Sequence, residues 1–153
     1  MLRRTALALA TLLALGGCIP LSGSMDKLLD AAYEVTNATR FGRLDIVEGH
    51  VVPSARAAFG AAHAEWGPNI RILDVEYGGT KPVTDTKAIV AMQISWQRLN
   101  ESTLRATSLS QSWERTDDGW GIVSETIVAG DRGLLRDVEA PAPAASGKTA
   151  ALR

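Results

Sequence analysis

From Asp26 to Arg40 the apolar residues Leu28, Ala31, Val35 and Ala38 recur three and four apart, with Ala32 beside them. That spacing places one apolar stripe along an α-helix. Ser24 stands at the N-cap position, Asp26 favours the positive end of the helix dipole, and Gly42 stops the run. Asp45, followed three residues on by Glu48, has the spacing of a capping box and predicts a short second helix to about His50. After Pro53 a third helix runs from about Ser54 to Trp66, with Ala55, Ala58, Phe59, Ala62 and Trp66 on one stripe and Gly67-Pro68 ending it.

The period then falls to two. Ile70 to Tyr77 reads as a strand, and Gly78-Gly79 opens a long polar connection to Thr86. Lys87 to Leu99 alternates, with Ala88, Val90, Met92, Ile94 and Trp96 on one side and Gln93, Ser95 and Gln97 on the other. Asn100-Glu101-Ser102 turns the chain into a strand from Thr103 to Arg115, and Thr116-Asp117-Asp118-Gly119 turns it into another from Trp120 to Ala129. Helices first and an antiparallel meander afterwards predict an α+β domain, with N-terminal helices packed on one face of a curved antiparallel sheet. If Leu99 lies opposite Thr103, Gln97 faces Arg105, Ser95 faces Thr107, Gln93 faces Leu109 and Ile89 faces Trp113. A shift of one residue would exchange these pairings.

The ends of the chain differ from its middle. Arg3 and Arg4 precede an apolar run from Thr5 to Leu15 that is too short to span a bilayer, and Leu15-Gly16-Gly17 leads to the only cysteine, Cys18. This pattern resembles the lipobox of bacterial lipoproteins. The resemblance implies a signal peptide over 1–17, lipidation of Cys18 with chains such as palmitate, and a location in the cell envelope. An ordinary secretory signal cut near Gly17, or an uncleaved apolar N-terminus, is the plainer alternative. Each buried methylene contributes about 0.8 kcal/mol, so two or three acyl chains hold a protein at a membrane durably. Ile19 follows the cysteine where an aspartate would favour inner-membrane retention, so the resemblance points to the outer membrane, facing the periplasm.

Residues 18–25 then form the lipidated cysteine and a short tether, which keeps the domain within roughly 20 Å of the membrane. Residues 26–137 suffice for one domain with a moderate core. Residues 138–153, rich in Ala and Pro, read as a disordered tail. With Cys18 lipidated no thiol remains for a disulfide, so the core must suffice. The formal net charge of −1 becomes more negative once Arg3 and Arg4 are removed, and the remaining basic residues are scattered, which argues against nucleic-acid binding.

The order helix, short helix, helix, then long strands resembles the cone-shaped nuclear transport factor 2-like superfamily, which includes polyketide cyclase-like and ketosteroid isomerase-like proteins. The Arg40-Phe41-Gly42-Arg43-Leu44-Asp45 link, Ser112-Trp113-Glu114-Arg115 and Asp118-Gly119-Trp120 carry the resemblance, over about Asp26 to Ala129. It implies a pocket-shaped architecture that hosts isomerases, cyclases, dehydratases, scaffolds and envelope assembly proteins, without choosing among them. The short strand usual between the helices is not evident.

Chemical signatures are sparse. His50 and His63 are far apart and no metal motif is present; no cofactor motif, Gly-x-Ser-x-Gly elbow or phosphate loop occurs. Ser24-Met25-Asp26-Lys27 has the serine-lysine spacing of penicillin-recognising enzymes without their other motifs, and a helix cap explains it better. His50 reads as a solvated partner at a helix end. Acid-base chemistry would draw on Tyr33, Asp74, Glu76 or His63, with a boundary histidine and a solvated strand edge as the simpler readings. Gln93, Gln97, Arg98, Arg105, Trp113 and Arg115 offer a mixed surface for a ligand, an envelope partner or a homodimer. The expectation is a non-catalytic envelope lipoprotein that binds protein or assembles. Small apolar ligand binding and isomerase-, cyclase- or dehydratase-like catalysis are the alternatives.

Overall fold

The computed structural model describes residues 23–137; Cys18, the signal, most of the tether and the Ala/Pro-rich tail lie outside the described residues. Helix α1 spans Ser24–Arg40 and buries Leu28, Ala32, Val35 and Ala38, the stripe expected from its periodicity. Its start differs from expectation. Gly23 is the N-cap and Ser24 the first helical residue, because Ser24 serves another partner: its carbonyl and hydroxyl oxygens accept from Trp120 Nε1 at 2.6 and 3.0 Å. Gly42, at φ +68°, turns the chain into α2, Leu44–Gly49. Asp45 does not cap α2 through its side chain. It forms a bidentate pair with Arg43 at 2.9 and 2.8 Å instead.

The third helical region is shorter than its stripe suggests. A 3-10 turn over Pro53–Ala55 leads into α3, Arg56–Ala62, in which Phe59 alone is buried. His63 follows as the C-cap, and Trp66 closes the segment through a bridge to Ile70.

Four strands follow in meander order: β1 Ile70–Thr84, β2 Lys87–Arg98, β3 Arg105–Thr116 and β4 Gly119–Gly130. The connection expected at Gly78-Gly79 is strand. β1 continues past it by register shifts, a Cβ on Gly78 would come within 3.1 Å of the Ala91 carbonyl, and the hairpin closes through Asp85-Thr86. The β2–β3 register is one residue from the expected one, with Trp96 opposite Arg105, Gln93 opposite Ser108 and Ala88 opposite Trp113. One face of the sheet is covered by the helices and holds Ala88, Val90, Met92, Ile94 and Trp96 with Leu109, Trp113, Trp120 and Ile122. The slip puts Trp113 on this covered face, wholly buried, so it is core and not a surface contact. All four tryptophans are buried.

The outer edge of β4 is met by the segment between α2 and the 3-10 turn. His50 and Val52 exchange backbone hydrogen bonds with Ile122, and Val51 bridges Ile122 in parallel. A single bridge therefore stands where a short strand was not evident. At the far end of β4, Gly130 has φ +86° and the Ala106 carbonyl occupies the position a Cβ would take. Gly130→Ala is expected to cost about 2 kcal/mol or more through steric conflict and left-handed backbone together, measured as a fall in the urea midpoint at unchanged slope.

Candidate functional site

Alternation along β4 from Trp120 and Ile122 would send Ser124 and Thr126 inward and Glu125 outward. The strand does the reverse. Ile122 pairs with Trp113 but Ser124 pairs with Ser112, so Val123 is an extra residue and Glu125 comes opposite Gln111 on the covered face. A second shift at Val128 follows Ile127, which packs against the core. The bulge thus turns a carboxylate into the interior.

Glu125 arrives in a chain of polar groups. Its side chain is 7% exposed, and that of His63 only 3%. Gln111 Nε2 donates to Glu125 Oε1 at 2.6 Å, and Trp113 Nε1 donates to Gln111 Oε1 at 3.1 Å. At the other end His63 Nδ1 lies 2.8 Å from the Phe59 carbonyl, which can only accept, so Nδ1 carries a proton. His63 Nε2 faces Glu125 Oε2 at 3.0 Å, within ion-pair distance and without a hydrogen bond. The imidazole is stacked on Phe59 with centroids 3.9 Å apart and meets Trp66 edge-on at 4.4 Å. Aromatic packing and the Phe59 carbonyl therefore fix the ring that faces the carboxylate.

Beside this chain a half-open cleft of about 360 Å³ separates α3 from β4. Ala55, Ala58 and Ala62 line the helical wall, Ile122 to Glu125 the strand wall, and Leu135 and Arg136 the rim. The cleft exists because alanine side chains on α3 stop short of the strand.

The other candidates are dispersed. Asp74 pairs with Arg40 and accepts from the Val75 N–H at 2.9 Å. Tyr33 is half exposed and packs on Tyr77 with centroids 4.6 Å apart, and Glu76 is exposed. His50 caps α2 and contacts Glu34 at 3.1 Å. Of the surface set, Gln93 and Gln97 lie on the uncovered face, with Gln93 accepting from the Ser108 hydroxyl at 2.6 Å. Arg98 and Arg105 lie over the Trp96 ring and fasten the segment after β4: Arg98 Nη2 to the Gly133 carbonyl at 3.4 Å, Arg105 to Asp131 and Glu101. Arg115 is exposed at the opposite end, near Trp120. These residues do not form one surface. Glu125 was absent from the sequence reading; the signal for it was the change of apolar parity from Trp120 and Ile122 to Ile127, which requires an intervening bulge.

No protein-family model matches this chain. No curated protein matches it in sequence. Among solved structures, it is similar to the intermembrane space region of chloroplast protein ARC6, with a TM-score of 0.48 and 10% identity, over 68% of this chain and 95% of that one. Among the described residues, no helix is long and apolar enough to cross a membrane, and no group of three or more His, Cys, Asp or Glu is placed to hold a metal ion.

Two outcomes follow from this geometry. Glu125→Ala leaves His63 and Gln111 facing an empty site and is expected to cost about 3 kcal/mol; Glu125→Gln keeps the acceptor for Gln111 and is expected to cost less than half as much in the same denaturant titration. The N–H of Gly133, and then the Arg105 guanidinium, hold the Asp131 carboxyl below its ordinary value of 3.8. A depressed folded value stabilises the native state above the unfolded value and loses that stabilisation as pH falls through the folded one. Asp131→Asn is therefore expected to lower the urea midpoint at neutral pH, with the gap to the unaltered protein closing as pH drops below 3.8.

Proposed function

We propose that this protein is a cell-envelope lipoprotein, anchored through Cys18 to the outer membrane, whose nuclear transport factor 2-like domain is a non-catalytic module for protein binding or assembly. Three helices followed by a four-strand meander support the family comparison. The observation that carries the binding reading is the uncovered face of the sheet. Its two central strands present Ile89, Ala91, Gln93 and Ser95 opposite Ser112, Ser110, Ser108 and Ala106, all uncharged, while β1 sets Arg71, Glu76 and Lys81 beside Gln97, Gln93 and Ile89 on the same face. The ion pair of Lys87 with Glu114 lies at the rim. A neutral centre flanked by polar and charged groups is the composition of a protein contact surface, and the small side chains at that centre allow another chain close approach.

Two measurements test this. Labelled palmitate fed to producing cells is expected to mark the protein and to be lost in Cys18→Ala; equal labelling of both would remove the anchor. A photo-crosslinking amino acid at Ser110 is expected to capture a protein in the intact envelope, whereas the same group at exposed Asp30 on α1 is not. No capture from Ser110, or equal capture from both positions, would overturn the proposed binding face.

A further inference from the structure

We infer that the end of the domain around Phe41 receives an extended acidic peptide of a partner protein, with a large apolar side chain of that peptide seated on either side of the Phe41 ring. Phe41 follows α1 directly and is 76% exposed, although its backbone is firmly held. The N–H groups of Phe41, Gly42 and Arg43 donate to the carbonyls of Asn37, Thr39 and Ala38 at 3.1, 3.1 and 2.8 Å. An aromatic side chain on a fixed backbone loses little freedom when a partner covers it. Phe41 borders two hollows. One, of about 320 Å³, is lined further by Trp66, Ile70, Ile72 and Leu99, the last 48% exposed. The other is lined by Ala38 and Ile46. Single exposed apolar side chains are ordinary on a surface, but Phe41 and Leu99 share one apolar recess and form a contiguous patch.

Charge selects the occupant. Arg40 and Arg71 line the first recess, and no acidic residue does. Arg40 pairs with Asp74, whereas Arg71 is exposed and has no ion-pair partner among the described residues. In the second hollow Arg43 pairs with Asp45, and Glu34 contacts His50. The surplus charge is therefore positive and sits at Arg71, where it complements carboxylates brought by a partner. A basic segment would meet like charge there. A small apolar molecule would fill one hollow and leave the opposite side of Phe41 in water. A peptide crossing the ring covers both sides, and its acidic residues reach Arg71.

The test selects a display library of random peptides on the full chain in zwitterionic lipid nanodiscs, with empty nanodiscs removing peptides that bind lipid. The enriched sequences, made as fluorescent peptides, are then titrated by anisotropy. Acidic peptides with two large apolar residues are expected to dominate. Phe41→Ser is expected to weaken them by about tenfold or more. Arg71→Glu is expected to weaken them about tenfold and to shift preference toward versions with lysine in place of the acidic residues. Phe41 and Arg71 are both exposed, so neither substitution disturbs the core. Arg115→Glu makes the same change of net charge at the opposite end of the domain and is expected to alter affinity less than about twofold. Absence of enrichment, enrichment of basic or purely apolar peptides, full affinity in Phe41→Ser, or equal losses in Arg71→Glu and Arg115→Glu would each overturn the inference. Crosslinking from Ser110 reports the centre of the sheet face, so failure there and failure here are told apart.

Discussion

A buried carboxylate must find donors on the inside of the fold, and in this domain that demand binds α3 to the last two strands. Glu125 takes one hydrogen bond from Gln111 on β3 and faces His63 at the end of α3. Desolvating such a group costs several kcal/mol, while a hydrogen bond to a charged group returns about 1.5–3 kcal/mol. Neither partner alone offsets the burial. The chain from Trp113 through Gln111, Glu125 and His63 to the Phe59 carbonyl therefore acts as a unit, and it specifies which segment of the short alanine-rich α3 lies against the sheet.

That unit explains the surrounding design. α3 buries only Phe59 along its length, so a hydrophobic stripe alone would hold it weakly. Its C-terminal turn is secured by polar contacts: His63 at the helix end, Trp66 Nε1 donating to the Leu134 carbonyl at 2.8 Å, and the Arg136 N–H donating to the Ala62 carbonyl at 3.0 Å. The segment after β4 is fastened in turn by Thr107, Arg98 and Arg105 around Trp96. Local polar contacts thus keep the alanine wall at a distance from β4, and the cleft is the space that remains. On the other face no such demand operates, and the two central strands carry mostly small neutral residues there.

Much of this was legible from periodicity. Ala88 to Trp96 alternates cleanly because β2 is central and half-buried, and Leu28 to Ala38 marks α1 because one helical face must meet the sheet. What escaped is what periodicity does not encode. Two glycines at Gly78-Gly79 have the composition of a loop, yet pairing along β2 carries β1 through them. The one-residue slip between β2 and β3 moved Trp113 from a proposed contact into the core, since period-two patterning fixes which face is buried but turn geometry fixes the register. Arg98 and Arg105, expected as possible ligand or partner contacts, are engaged by the segment after β4, distant from them in sequence. Glu125 was invisible to residue-by-residue inspection because its inward direction depends on the bulge at Val123, whose trace in the sequence is only the parity change before Ile127.

Whether the bulge turns Glu125 inward beside His63 is read from side-chain nuclear Overhauser contacts on isotope-labelled protein. Strong contacts from the Glu125 γ-protons to the His63 ring and to the Gln111 side-chain amide are expected. Contacts from Glu125 to residues of the uncovered face, as unbroken alternation along β4 would give, with none to His63, would contradict it.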